Sequence, residues 1–227
     1  MRLASVADRA DSWKRAALLL GRSAKLGNPK AVSALGSFYD YGIGVSKDPR
    51  LAFQHYKRAA AAGRPDALYD VGACYAAGNG VTRNLKKANV WFKRATRLGV
   101  PEAFDALGYH YRYGLGARRD QARGFKLQLA AARRGLAEAQ FSVGFCLSHG
   151  EGIKSDANRA FRWYLCAARK GHAAAQYNVG YFYEYGRACR RSVTQAIRWY
   201  RRAALQGDIA ARKALVRLRT SHDTRHG

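Results

Sequence analysis

The sequence predicts an all-α protein, a right-handed α/α superhelical solenoid of 36-residue helix-turn-helix repeats. Three observations predict it. Glycine recurs every 36 residues in two columns, Gly36, Gly72, Gly108, Gly144 and Gly180 in one and Gly27, Gly63, Gly99, Gly135, Gly171 and Gly207 in the other. Apolar residues fall at helical spacing within each interval. Polar residues suited to cap a helix separate the apolar stripes. A fixed period of this length describes one supersecondary unit stacked on itself, which yields a binding surface and implies no catalytic pocket.

The elements follow in order. Residues 1–11 are expected to be disordered or frayed, and 12–26 to form an unpaired helix of the second type. Five repeats then span about 28–63, 64–99, 100–135, 136–171 and 172–207. The first helix of a repeat carries one apolar face, as at Ala31, Leu35, Phe38 and Tyr39, and ends in a Gly-x-Gly loop such as Gly42-Ile43-Gly44. Glycine stops the helix because it accepts the left-handed conformation. The second helix opens on a cap at Ser12, Asp48, Asn84, Asp120, Asp156 or Ser192. Its stripe reads Ala88, Trp91, Phe92 and Ala95 in one repeat and Ala196, Trp199, Tyr200 and Ala203 in another. Gly72 on the first helix, with small Ala59 or Ala95 on the second, lets the backbones approach. A closing helix, 208–219, brings Leu215 and Leu218 onto the stack, and 220–227 is expected to be a flexible tail. No linker-like stretch interrupts 12–219, so one solenoid domain is expected. A unit this short falls below the roughly 40 residues that usually fold unaided, so the repeats must stack.

The stretches ALGSFYDYGIGVSKDPRLAFQHYKRAAAAG, AFRWYLCAARKGHAAAQ and AQYNVGYFYEYGRA resemble the Sel1-like repeat family, an α/α solenoid related to tetratricopeptide repeats. The resemblance covers about 12–210 and returns in register. It implies a partner-binding scaffold or adaptor. Three positions depart from the pattern: Ala188 replaces the second loop glycine, Gly124 a helix alanine, and Asn89 an aromatic residue. A secreted branch of the family carries disulfides within its repeats, and this chain lacks the repeated cysteine pair.

Forty-one basic residues face fifteen acidic ones, a net charge of +26, which suggests an anionic partner or surface. The six second-type helices hold 23 lysines and arginines and three acids, all at caps. Lys57, Arg58, Lys93, Arg94, Arg201 and Arg202 form one column set, and Arg97, Arg133, Arg134, Arg169 and Lys170 another. Stacking is expected to align them on the outer, convex side. Two readings stay open for this ladder: a solvated face that also complements the helix dipoles, and an anion-binding site for nucleic acid or an acidic protein. Any nucleic-acid contact would be to phosphates and sensitive to salt, because no recognised nucleic-acid module accompanies the charge.

The first-type helices carry a second column set, expected to line the inner, concave face. In the later repeats it is aromatic: Tyr109 and Tyr113, then Phe141, Phe145 and His149, then Tyr177, Tyr181 and Tyr185. In the earlier repeats it is smaller, with Ser33, Ser37 and Tyr41, then Tyr69, Ala73 and Ala77. Exposed aromatic residues mark interaction sites and tyrosine is favoured at hot spots. The alternative is that these rings pack between helices. The groove would take an extended or helical peptide, with Asp105 and Glu184 placed to pair with a basic residue of it.

No enzyme signature is present, and no cofactor, metal or small-molecule substrate is expected. The six histidines fall in different columns, and Cys74, Cys146, Cys166 and Cys189 form no zinc-type pair. Cys74 and Cys146 read as core fillers. No hydrophobic stretch is long enough to span a membrane, and the cytoplasm is the expected location. The leading reading is therefore a non-catalytic protein-interaction adaptor. The second is binding of nucleic acid or an anionic surface.

Overall fold

The computed structural model describes residues 6–223. Among the described residues there are twelve helices and no strand: α1 (Val6–Lys25), α2 (Pro29–Tyr41), α3 (Pro49–Ala61), α4 (Pro65–Ala77), α5 (Leu85–Arg97), α6 (Pro101–Tyr113), α7 (Gln121–Arg133), α8 (Ala137–His149), α9 (Ala157–Arg169), α10 (Ala173–Tyr185), α11 (Val193–Leu205) and α12 (Ile209–Asp223). Even-numbered helices are of the first type and odd-numbered ones of the second. The all-α helical-repeat solenoid is the fold of this chain.

Each helix from α2 to α11 has 13 residues, and the ends explain why. Asp48, Asn84, Asp120, Asp156 and Ser192 each turn a side-chain oxygen onto backbone N–H groups of the first turn. That satisfies donors with no partner inside the helix. Ser12 is a correction to the expected caps, because α1 begins at Val6 and runs through it. The same start corrects the expected fraying of 6–11, whereas 1–5 lie outside the described residues. The expected tail is likewise helical to Asp223, and 224–227 lie outside the described residues.

The second loop glycine is required by a close approach. A Cβ at Gly80 would run into the backbone carbonyl of Pro49, at the start of the preceding second-type helix. In the last repeat the position is Ala188, which keeps the left-handed backbone at φ 57° despite its side chain.

By their contacts the residues form two compact units, one up to His110 together with Gly114–Arg118, the other Tyr111–Tyr113 together with the chain from Arg119 onward. In the first unit α1 packs on α2, and the hairpins α2–α3 and α4–α5 stack through α3 and α4. The core gathers Val32, Leu35, Phe53, Tyr56, Leu68 and Val71. Gly72 is where the two helices of a hairpin meet, and what lies nearest it is Phe92 and Ala88. A Cβ there would lie 2.6 Å from the Phe92 ring and 3.4 Å from the carbonyl oxygen of Ala88. Asn89 is buried and bonded at both ends of its amide: the nitrogen donates to the Leu115 carbonyl at 2.7 Å, and its Oδ1 lies 2.6 Å from His110 Nδ1. Burial, then Arg83, pulls the His110 pKa below the ordinary histidine range. His110 Nδ1 donates to the Asn89 amide oxygen.

In the second unit α7 packs on α8, the hairpins α8–α9 and α10–α11 stack through α9 and α10, and α12 packs on α11. Ala196, Tyr200, Ala203, Ala211 and Ala214 are buried there, with Leu215 and Leu218 packed against them. The glycine column works as in the first unit: a Cβ at Gly180 would stand 2.7 Å from the Tyr200 ring. Cys74 and Cys146 are buried and all four cysteines are free thiols.

Candidate partner-binding surface

Within the second unit, residues four apart on one helix share a face, and that spacing builds close ring pairs. Phe145 stacks on His149 with ring centroids 4.1 Å apart, and His149 Nδ1 lies 3.0 Å from the Phe145 carbonyl. One repeat on, Tyr181 and Tyr185 are 4.6 Å apart. His149 and Tyr185 are exposed, while Phe145 and Tyr181 are half-buried beneath them. Tyr113, also exposed, lies in the column of His149 and Tyr185.

Guanidinium groups flank these rings. Arg112 sits 4.7 Å from the Tyr113 ring and 5.4 Å from the Phe145 ring. Arg187 sits 5.4 Å from Tyr181, and Arg217 6.0 Å from Tyr185. Arg112 is 5% exposed and is held by Gln128 Oε1 at 3.1 Å, Cys146 Sγ at 3.0 Å and an ion pair with Glu151 at 3.3 Å. The position of Arg112 cannot drift, so it fixes the rings it touches. Sequence reasoning missed Arg112 and Arg217. The 36-residue register held a signal for Arg217, because it occupies the column of Tyr109, Phe145 and Tyr181.

The other aromatic candidates sit differently. Phe141 stacks on His172 at 4.6 Å and approaches Tyr164 at 5.8 Å, and Tyr177 lies 5.5 Å from Tyr200. Both rings are half-buried against second-type helices. Tyr109 is exposed and belongs to the first unit, where its ring lies 6.5 Å from His110. Glu184 is a correction: it is buried, and Arg217 and Tyr200 use its carboxylate, so a partner's basic residue has no access to it.

The corresponding face of the first unit is polar. A 440 Å³ cavity there is lined by Ser33, Ser37, Asp66, Tyr69, Asp70 and Glu102, among others. Burial first, then Asp66, Asp40 and Glu102, raises the Asp70 carboxyl to about 7, against the opposing pull of Arg64.

All eleven residues of the basic ladder are exposed: Lys57, Arg58, Lys93, Arg94, Arg97, Arg133, Arg134, Arg169, Lys170, Arg201 and Arg202. Several are engaged within the fold. Arg94 lies over Trp91 at 4.9 Å and Arg202 over Trp199 at 4.7 Å, while Lys57 approaches Phe53 at 5.8 Å. Arg58 donates to the Ala24 carbonyl, Lys170 to that of Gly135, and Arg134 to that of Ala130 at 2.8 Å. The arginines thus shield rings on the second-type helices and tie neighbouring elements. Among the described residues no group of histidine, cysteine and acidic side chains could hold a metal, and no helix is long and apolar enough to cross a membrane.

Comparison with known proteins agrees with this architecture. The sequence profile of the Sel1 repeat matches five stretches, 29–63, 65–100, 103–136, 137–172 and 173–208. The crystal structure of a Sel1 repeat protein from Oxalobacter formigenes is 35% identical, with a TM-score of 0.79 over 84% of this chain and 78% of that one. A protective antigen of uropathogenic Escherichia coli strains, which displays the same repeat fold, is 29% identical with a TM-score of 0.76 over 90% of this chain. The chain spans 44% of that protein's length. A Pseudomonas aeruginosa protein shares the fold at 21% identity, with a TM-score of 0.59 over 89% of this chain and 83% of that one. Among curated proteins none matches. Sel1 repeats generally mediate protein–protein interactions on a scaffold that is generally non-catalytic. On its repeats, its helices and these likenesses, the chain belongs to the Sel1 repeat family.

Proposed function

We propose that this protein is a non-catalytic adaptor that captures a segment of a partner protein on the aromatic face of its first-type helices. Phe145, His149, Tyr181 and Tyr185 form the centre of the surface, with Tyr113 beside them and Phe141 and Tyr177 extending the set. The observation that carries the reading is the repetition of a close ring pair at one register, Phe145–His149 stacked and Tyr181–Tyr185 tilted. Rings already held against one another lose little entropy on binding, which suits them as anchors. Flanking guanidinium groups of Arg112, Arg187 and Arg217 favour a segment with acidic or aromatic side chains. Peptide-display selection on the purified chain tests this. Enriched peptides should lose binding to a Phe145→Ala, Tyr181→Ala variant whose helicity is unchanged. Equal binding to that variant, with the fold intact, rejects the reading.

The second reading is binding of nucleic acid or an anionic surface by the basic columns, Lys57 to Arg97 in the first unit and Arg133 to Arg202 in the second. It is supported by the exposure of all their members. Salt separates the two: phosphate contacts weaken steeply as salt rises, and aromatic capture changes little.

A further inference from the structure

The repeat register shows where a side chain is missing. On second-type helices the column Phe53, Asn89, Phe125, Phe161 and Ile197 begins in α1 with Ala17. Phe53 meets Tyr75 of the next first-type helix edge-on at 5.3 Å, and Phe161 meets Tyr183 in the same way at 5.4 Å. Tyr39 holds the equivalent place in α2. Opposite Tyr39, Ala17 supplies a single methyl group. One turn along α1, Gly21 occupies the column of Lys57, Lys93, Leu129, Leu165 and Arg201, and a Cβ built on it meets nothing within 4 Å.

The missing side chains leave a 510 Å³ cavity between α1 and α2, walled by Ala17, Leu35, Tyr39 and Val45. That size is typical of a ligand pocket. Exposed Leu18 forms one shoulder, and the groove continues past Lys14 to Trp13 and Ile43. The mouth carries Lys14, Arg22 and Lys25. Lys14 pairs at 3.3 Å with Asp11, and both side chains are largely exposed. An apolar slot under three cations selects an apolar anchor flanked by carboxylates, and the fold itself shows which anchor the geometry accepts.

We propose that the slot between α1 and α2 is a binding site for a phenylalanine side chain carried on an acidic segment of a partner protein. The ring replaces the phenylalanine that α3, α7 and α9 supply from within the chain, and neighbouring carboxylates pair with Arg22, Lys25 and Lys14. This site is separate from the aromatic face of α8 and α10.

The probe is a capped pentapeptide, aspartate-aspartate-phenylalanine-aspartate-aspartate, titrated calorimetrically into the full chain. Ala17→Phe plugs the slot with the repeat's own residue. It is expected to weaken binding about tenfold or more without lowering the melting temperature. Should Ala17→Phe fail to fold, Gly21→Leu fills the adjoining space with a residue the column already uses. The same peptide with alanine in place of phenylalanine should not bind, Arg22→Glu, Lys25→Glu should weaken binding, and Phe145→Ala, Tyr181→Ala should leave it unchanged. Failure of the phenylalanine peptide to bind, or equal affinity for a folded plugged variant, overturns the proposal. So does equal binding of the alanine peptide, which would mean simple charge attraction.

Discussion

Arg217 Nη2 lies 2.6 Å from Oε1 and 2.8 Å from Oε2 of Glu184, tying the final helix α12 to α10. The pair is unequal, because the Arg217 side chain is 55% exposed and that of Glu184 only 8%. Tyr200 adds a third bond, its hydroxyl donating to Oε2 at 2.8 Å. Exposure of the arginine screens the attraction, so the consequence of losing it lies mainly in the carboxylate left behind. Arg217→Ala should cost about 1–3 kcal/mol. Hydrogen exchange should show α12 opening first, and urea unfolding should give the loss. Glu184→Gln, which keeps the shape and removes the charge, should cost less.

The glycine column sets packing against helix propensity. Alanine is favoured over glycine inside a helix by about 1 kcal/mol. At Gly180 the added methyl would stand 2.7 Å from Tyr200, whose ring is fully buried and cannot swing away. Gly180→Ala should therefore destabilise by about 1–3 kcal/mol despite its better propensity. A net gain in chemical denaturation would show that the hairpin can relax around the contact.

Ala188 stands where the other repeats have a left-handed glycine. An L-residue in that conformation costs roughly 1–2 kcal/mol. Ala188→Gly should return about 1 kcal/mol, reduced by the greater freedom of glycine in the unfolded chain. Thermal unfolding of the single variant measures it.

Asp70 gives the fold a pH dependence with a defined sign. Its folded pKa, about 7, lies above the ordinary value of 3.8, so folding favours the protonated acid. That contribution is complete below about pH 3.8 and is lost as pH rises through about 7. At higher pH the folded chain holds a charge among Asp66, Asp40 and Glu102. Asp70→Asn should stabilise by roughly 1 kcal/mol at alkaline pH, a figure discounted for solvent screening, and by nothing near pH 4. Urea titrations of both proteins across that range decide it. A gain independent of pH would assign the effect to packing.

The period, the helix caps and the loop glycines were legible in the sequence because each acts within a few residues. Asp48 reaches the backbone of Arg50 and Leu51, and Gly42 ends the helix it follows. Register extended that reading to the ring columns, since spacing of 36 residues carries one position onto the same place in the next hairpin. Local chemistry could not show which side chains are consumed internally. By position Glu184 is placed for a partner's basic residue, but Arg217, 33 residues away, and Tyr200 occupy its carboxylate. Nothing local marks Arg112, which Gln128, Cys146 and Glu151 hold in the interior. Register places Ala17 in a phenylalanine column, and the cavity that it leaves beside Tyr39 belongs to the folded packing. Backbone form here follows from short-range sterics and hydrogen bonding, which the sequence specifies directly. Whether a polar or apolar group remains for a partner depends on which distant groups reach it first, and only the folded packing decides that.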